Sequence, residues 1–246
     1  MSGHSKWSKV KHQKESTDAA KGKIFTKMAS SIIIAVKEGG GIADPASNFR
    51  LRLAIEKARS VNMPKENIER AIEKGKGKSG EGSLERVVYE AYGPGKSGLI
   101  IEAATDNHQR AAAEVKNTLD RGGGVLASPG SVSYLFKHAG MLIINKDNIN
   151  IDSAMNLAIE AGGDDIEEMG DKYIIWTDPS KLHQVAEYIG KKGITLTASE
   201  LIYKPTITTK LSDGEKKQVQ NLVSALSDIE DVQKVYTSLD DETNLS

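Results

Sequence analysis

The hydrophobic period of this chain changes once, at a glycine-rich stretch, and that change limits what the chain can become. Up to Gly75 the apolar residues recur at three- and four-residue spacing: Phe25, Met28, Ile32 and Val36, then Leu51, Ile55 and Ala58, then Ile68, Ala71 and Ile72. Such spacing puts each set on one face of a helix. The first helix is expected from about Asp18 to the Gly39-Gly40-Gly41 stop. The second starts near Asn48 and ends before Pro64, because a residue preceding proline is pushed out of the helical region. Pro64 suits the opening turn of the third, which closes at Gly75. Residues 75–82 alternate Gly with Lys, Ser and Glu and read as a linker. Beyond them the period is two. Neither a single helical bundle nor a single sheet accommodates both halves.

After the linker, Leu84–Tyr92 and Leu99–Thr105 read as strands joined by a turn over Gly93–Gly98. A helix from Asn107, capped by Asp106 and closed by Gly122-Gly123-Gly124, follows. Short strands are expected at Val132–Phe136 and Met141–Ile144, then a helix over Ile151–Ala161 and strands at Asp165–Glu168 and Tyr173–Thr177. A helix over Pro179–Gly190 and a strand near Leu196–Tyr203 complete the series. From Met141 to Tyr203 the order is βαββαβ, a whole ferredoxin-like unit. The ββα before it is a fragment. So is the tail after Pro205, with a strand at Thr206–Leu211, a helix at Glu215–Leu226 and a strand at Val232–Thr237. The two fragments pair most economically with each other. The expected fold is therefore α+β: a helical N-terminal domain (1–78), a discontinuous α+β domain (79–130 with 206–246), and a ferredoxin-like domain (131–205) inserted into it.

Charge divides at the same place. The whole chain carries −1, but residues 1–78 hold 17 Lys+Arg against 8 Asp+Glu, leaving 16 against 26 for the rest. A head of +9 on a body of −10 is the footprint of a module that binds nucleic acid, since cations released from neutralised phosphates drive association. The head's lysine arm comprises Lys6, Lys9, Lys11, Lys14, Lys21, Lys23 and Lys27, with Trp7 and His12 among them. Lysine suits phosphate oxygens, and Trp7 can stack on an exposed base. The duller alternative is a solvated terminus with Trp7 docked locally as an anchor. Residues 1–16 lack an apolar period and are expected to hold no structure alone. Arg50 and Arg52 extend the positive surface onto the second helix, although Arg59 and Arg70 have Glu56, Glu66, Glu69 and Glu73 within pairing distance along their helices. A helix-turn-helix comparison is weakened by the Asn62-Met63-Pro64 junction, which lacks glycine.

Other chemistries are poorly provided for. There are no cysteines, and the five histidines have no metal-ligand spacing. No serine sits in a nucleophile elbow. Gly95-Lys96-Ser97 imitates the end of a phosphate-binding loop but has Glu90 where the first glycine belongs, and a strand follows it. No catalytic residue, metal or cofactor is expected, and the protein is read as a non-enzyme. The longest aliphatic run, Ile32–Val36, is far too short for a bilayer, so no membrane partner and a cytoplasmic location are expected. Tyr92, Asp106, Asn107 and Arg110 can meet at the mouth of an inter-domain cleft, as an anion or RNA contact; capping and salt bridging are their ordinary uses.

Several strings then point one way. Gly3-His4-Ser5-Lys6-Trp7, Lys11-His12 and Gly22-Lys23 open the chain; Asn62-Met63-Pro64 with Asn67-Ile68 and Arg70-Ala71-Ile72 follow. Tyr89-Glu90, Tyr92-Gly93-Pro94, Thr105-Asp106-Asn107 with Arg110, and Asp231-Val232-Gln233 complete them. Nearly end to end, the chain resembles the YebC/PmpR family, whose eukaryotic relatives include the mitochondrial translational activator of cytochrome oxidase. The resemblance implies three domains, the third inserted into the second, and the role of a DNA-binding transcriptional regulator. It also implies an alternative, since some members are linked to ribosomes and translation: a factor that binds ribosomal RNA. A more distant alternative is a small-molecule sensor built on the βαββαβ lobe. The sequence departs from the family at Lys96, where a second glycine is usual, at His108, often arginine, and in the run Gly123-Gly124-Val125-Leu126-Ala127.

Overall fold

The computed structural model describes residues 4–77, 83–147 and 149–239, with side chains from Lys21 onward. Helices lead: α1 (His4–Glu38), α2 (Phe49–Ser60) and α3 (Lys65–Gly75). Strands β1 (Glu85–Tyr92) and β2 (Gly98–Thr105), helix α4 (His108–Arg121) and strand β3 (Val125–Ala127) follow. Then come β4 (Phe136–Asn145), α5 (Ile151–Ala161), β5 (Asp165–Met169), β6 (Lys172–Thr177), α6 (Leu182–Lys191), β7 (Leu196–Pro205), α7 (Asp213–Ser227) and β8 (Val232–Thr237). They make two four-stranded sheets, in the orders β3-β1-β2-β8 and β5-β6-β4-β7. By contact the chain forms two compact units. One runs to Tyr89 and includes Ile101–Leu126 and Asn221–Val235; the other takes Glu90–Ile100, Ala127–Gln220 and the chain from Tyr236.

In the first unit α2 and α3 both pack on α1, around Ile32, Val36, Leu51, Ile55, Ala58 and Ile68. Burying each such aliphatic side chain contributes about 1.5–3 kcal/mol. Two residues set how closely these helices approach. Gly75 ends α3 where a Cβ would sit 2.7 Å from the Cβ of Val36. Asn48 is buried at the start of α2: its Oδ1 accepts from Leu51 N at 3.0 Å, and its Nδ2 donates to the carbonyls of Ala35 and Ile42, each at 2.9 Å. One amide thus caps α2 and ties it to the end of α1.

The second unit contains the βαββαβ series. Its sheet order, with β4 antiparallel to both β6 and β7 and β5 antiparallel to β6, is that of a ferredoxin-like fold. Gly140 lies inside β4, where a Cβ would stand 2.7 Å from Thr177 Cγ2 and 3.1 Å from Leu182; its bareness admits α6.

Several expectations need correction. Helix α1 starts at His4, not near Asp18; between Ser5 and Ala20 there is no glycine or proline, and lysine, glutamine and alanine extend a helix once it is nucleated. Asn107, not Asp106, caps α4, accepting from Arg110 N at 3.0 Å. The expected strand at Val132–Phe136 is a single 3₁₀ turn at Ser133–Leu135, and β4 runs unbroken through Gly140. Thr206–Leu211 is not a separate strand: Thr206 donates from N and Oγ1 to the Leu135 carbonyl, which extends the β4–β7 register by one residue, and Thr209 makes one isolated bridge to Leu239. Strand β3 was not anticipated.

Departure from the family at Lys96 has a conformational meaning. In the 3₁₀ turn Pro94–Lys96, Gly95 has φ 64° and Lys96 φ 61°. A Cβ at Gly95 would collide with Leu211. Lys96 holds a left-handed conformation that L-residues adopt at a cost of roughly 1–2 kcal/mol. Lys96→Gly should therefore raise stability by about 0.5–1 kcal/mol after the added freedom of the unfolded chain is subtracted. A chemical-denaturation midpoint that falls would refute this.

Candidate nucleic-acid interface

The backbone of α1 carries Lys6, Trp7, Lys9, Lys11, His12 and Lys14 on its first turns; their side chains lie outside the described residues. Lys21 and Lys23 are exposed about two turns further on. Lys27 is different. Its Nζ donates to the carbonyls of Ser227 at 2.5 Å and Val232 at 2.6 Å, closing the end of α7 and the start of β8. Burial pulls its ammonium below the ordinary lysine value, against the opposing field of Asp228. Ser31, one turn on, donates to Gln233 Oε1 at 3.0 Å, so this stretch of α1 is a structural seam. Of the predicted lysine arm, Lys27 alone among the described side chains is committed to backbone carbonyls in this way.

Arg50 forms an ion pair with Glu38, and the Arg52 guanidinium lies 5.4 Å from the Phe49 ring centroid. Arg70 donates to Asn67 Oδ1 at 3.3 Å rather than pairing with Glu66. The α2–α3 junction lacks glycine, yet Asn62 takes φ 59° and supplies the left-handed residue the tight turn needs. The solvent side of α3 carries Glu66, Glu69 and Glu73, all exposed. Lys65 and Lys76 are turned to Glu69 and Glu73, at 3.5 and 2.5 Å, and this mixed surface disfavours α3 as a major-groove reader.

Between α1 and α3 lies a cleft of about 410 Å³. Phe25, Ala29 and Ile33 of α1 line one wall, and Asn67, Ala71 and Lys74 of α3 the other. Met63 and Leu84 close it, and Arg70 stands at its edge. Sequence reading had no signal for this cleft beyond the helix periods, because it depends on how far apart two helices stand.

The Thr105–Arg110 stretch is knitted to Asp231. Arg110 Nη2 donates to Asp106 Oδ1 at 2.9 Å and to Asp231 Oδ2 and Oδ1 at 2.9 and 3.2 Å. Thr105 Oγ1 donates to Asp231 Oδ2 at 3.0 Å. Hydrogen bonding to Asp231, then to Asp106, raises the Arg110 guanidinium above its usual value. Two carboxylates outnumber the single guanidinium, so the cluster does not favour an anion. Nearby, the Tyr89 hydroxyl is buried with no partner among the described residues, and burial, then Asp231, pushes its pKa up. Tyr92, in the second unit, donates to the Ser131 carbonyl at 2.7 Å. Asp106, Asn107 and Arg110 thus come together; Tyr92 works on a different loop. Asp231 was missed as a partner because more than a hundred residues separate it from Arg110.

Among the described residues no three His, Cys, Asp or Glu side chains are grouped to hold a metal, and no helix is long and apolar enough to cross a membrane.

Comparison with known proteins accords with this layout. Residues 5–78 match the family model described as the TACO1/YebC protein N-terminal domain, and residues 84–239 the one described as the TACO1/YebC second and third domain. A protein of Caldanaerobacter subterraneus named "Probable transcriptional regulatory protein" is 45% identical over 98% of this chain and 100% of its own length. One of the same name from Geobacillus thermodenitrificans is 42% identical, covering 98% of each chain. The crystal structure of a conserved hypothetical protein from Aquifex aeolicus superposes with a TM-score of 0.81 at 37% identity, over 91% of both chains.

Proposed function

The chain belongs to the TACO1/YebC family, and on that footing we propose that it is a non-enzymatic, nucleic-acid-binding regulator of gene expression that grips its target through α1. One observation carries this: 17 cations against 8 carboxylates in residues 1–78, with the excess reversed in the rest. Phosphate contacts from Lys6, Lys9, Lys11, Lys14, Lys21 and Lys23 supply affinity without reading sequence. Trp7 adds stacking, and the acidic body discourages binding elsewhere. The first reading of the target is DNA, in transcriptional control in the cytoplasm; the names of the relatives support it.

A second reading has a specific observation behind it. With Glu66, Glu69 and Glu73 outward on α3, the helical head offers no evident major-groove reader. RNA, including ribosomal RNA on the ribosome, requires none, since its bases are met in loops and single strands. Crosslinking in cells followed by sequencing of bound DNA and bound RNA separates the two. Enrichment of promoter fragments is the outcome expected of a transcriptional regulator, and enrichment of ribosomal RNA moves the protein to translation. Recovery of neither above background would refute the proposal.

A further inference from the structure

The α1–α3 cleft combines features that one ligand chemistry uses together. Its floor is apolar: Phe25, Ile33, Met63 and Leu84 offer a ring and three aliphatic faces. Its rim is polar and cationic, with no acidic residue among the lining side chains. Arg70 and Lys74 stand one turn apart on α3, both exposed, and Lys74 has no partner among the described residues. Asn67, one turn before, accepts from Arg70 through Oδ1, which leaves its amide N–H groups to donate. Ser30 lines the cleft from α1, and its hydroxyl makes no hydrogen bond to another described residue.

An apolar slot, an amide at its edge and two cations at its mouth match a flat heteroaromatic ring that carries hydrogen-bonding edges and a phosphate. The cleft volume lies within the range of ligand pockets. A purely aliphatic guest would leave the amide and the cations unused. Phe25, which opens the α1 wall of the cleft, stands one helical turn beyond the exposed Lys21 on the same face of α1, so a strand tracked by that face arrives at this cleft.

We propose that the α1–α3 cleft of the N-terminal head captures one unstacked nucleotide of single-stranded RNA, its base against Phe25, Met63 and Leu84, its edge on Asn67 and its phosphate on Arg70 and Lys74. Duplex nucleic acid hides its bases and cannot fill the cleft; loops and bulges present them splayed. This rests on the nucleic-acid reading above and adds to it a base-dependent component that phosphate contacts lack.

The test uses the full-length protein, an oligoribonucleotide decamer, and a decamer of the same length without bases. Both carry equal phosphate charge, so their difference isolates base capture. Stacking one base contributes roughly 1–3 kcal/mol, so the base-bearing decamer should bind about tenfold or more tightly. Ser30→Phe, which fills the cleft, and Asn67→Ala, which removes the edge contact from a half-buried surface position, should each cut that ratio. Because Trp7 can also stack, the change in ratio on plugging the cleft is the decisive reading. A ratio that survives both substitutions in folded protein overturns the inference and leaves the nucleic-acid reading standing. If neither decamer binds, the inference falls together with the RNA reading, while the DNA reading stands.

Discussion

Replacing Lys9, Lys11 and Lys14 together with alanine should flatten the salt dependence of nucleic-acid binding. The physical basis is counterion release: each phosphate neutralised on duplex DNA contributes about 0.9, and on a single strand about 0.7, to the slope of log affinity against log salt. Three lost contacts therefore remove roughly 2–3 units of slope. Carried to about 0.15 M salt, that corresponds to on the order of a hundredfold weaker binding, and to almost no difference near 1 M, where the release term vanishes. The loss should be the same for unrelated sequences, because phosphates carry no sequence. Anisotropy titrations at several salt concentrations, on two unrelated probes, would show this. An unchanged slope places the binding surface away from the first turns of α1; a loss confined to one probe means that these lysines read bases. Lys27→Ala is the instructive contrast. Its ammonium already serves the Ser227 and Val232 carbonyls, so its removal should loosen the contact of α1 with the end of α7 and leave the salt slope alone.

What was legible in the sequence follows how local the physics is. The βαββαβ order could be read because each strand and helix announces itself by its own period, and the ladder found from β4 to β7 agrees with it. Helix α7 likewise begins at a local signal: Ser212 and Glu215 form a capping box, with Ser212 N donating to Glu215 Oε2 at 2.9 Å. Errors fell where one residue serves a distant one. Gly140 looks like a break until α6 is seen packed over it. Thr206–Leu211 has an acceptable strand pattern, but Thr206 only extends the β4–β7 register by one residue, and beyond it the segment has among the described residues a single bridge, from Thr209 to Leu239. Val125–Ala127 is too short to carry a period of its own. The site divides the same way. The lysine arm is written plainly in the composition, whereas Lys27 differs from its neighbours only because α7 and β8 come to meet it. The family motif Tyr89-Glu90 shows the same limit, since nothing near Glu90 reveals the loop it holds.

Glu90→Gln should be among the most destabilising single changes in the second unit. Glu90 lies near the end of β1, only 9% exposed, and holds the loop before β4. Oε1 accepts from Gly130 N at 2.8 Å, and Oε2 from Val132 N at 2.6 Å and Ser133 N at 2.9 Å. Burial alone would push this carboxyl up, but the three backbone N–H groups outweigh it and hold the pKa below the usual glutamate value. Glutamine has nearly the same shape, yet its NH₂ must face at least one backbone N–H, donor against donor. Charge-assisted bonds are lost and a buried donor is orphaned, so the expected loss is about 2–4 kcal/mol. The pH dependence has a definite sign. A carboxyl whose folded pKa lies below its unfolded value, about 4.3, contributes stability that is fully present above that pH and disappears as pH falls through the folded pKa. The gap between wild type and Glu90→Gln should therefore be widest near neutrality and narrow on acidification through the carboxylate range. The comparison must be a difference, because Glu160, Asp178 and Glu215 are also held below their ordinary values by hydrogen bonds and add their own acid loss to both proteins. Urea unfolding of both proteins at pH 7 and pH 4 supplies that difference. A Glu90→Gln variant as stable as wild type at pH 7 would mean that solvent, not Glu90, satisfies the 130–133 amides. A gap that stays constant down to pH 4 would mean that the carboxylate's charge takes no part in holding the loop.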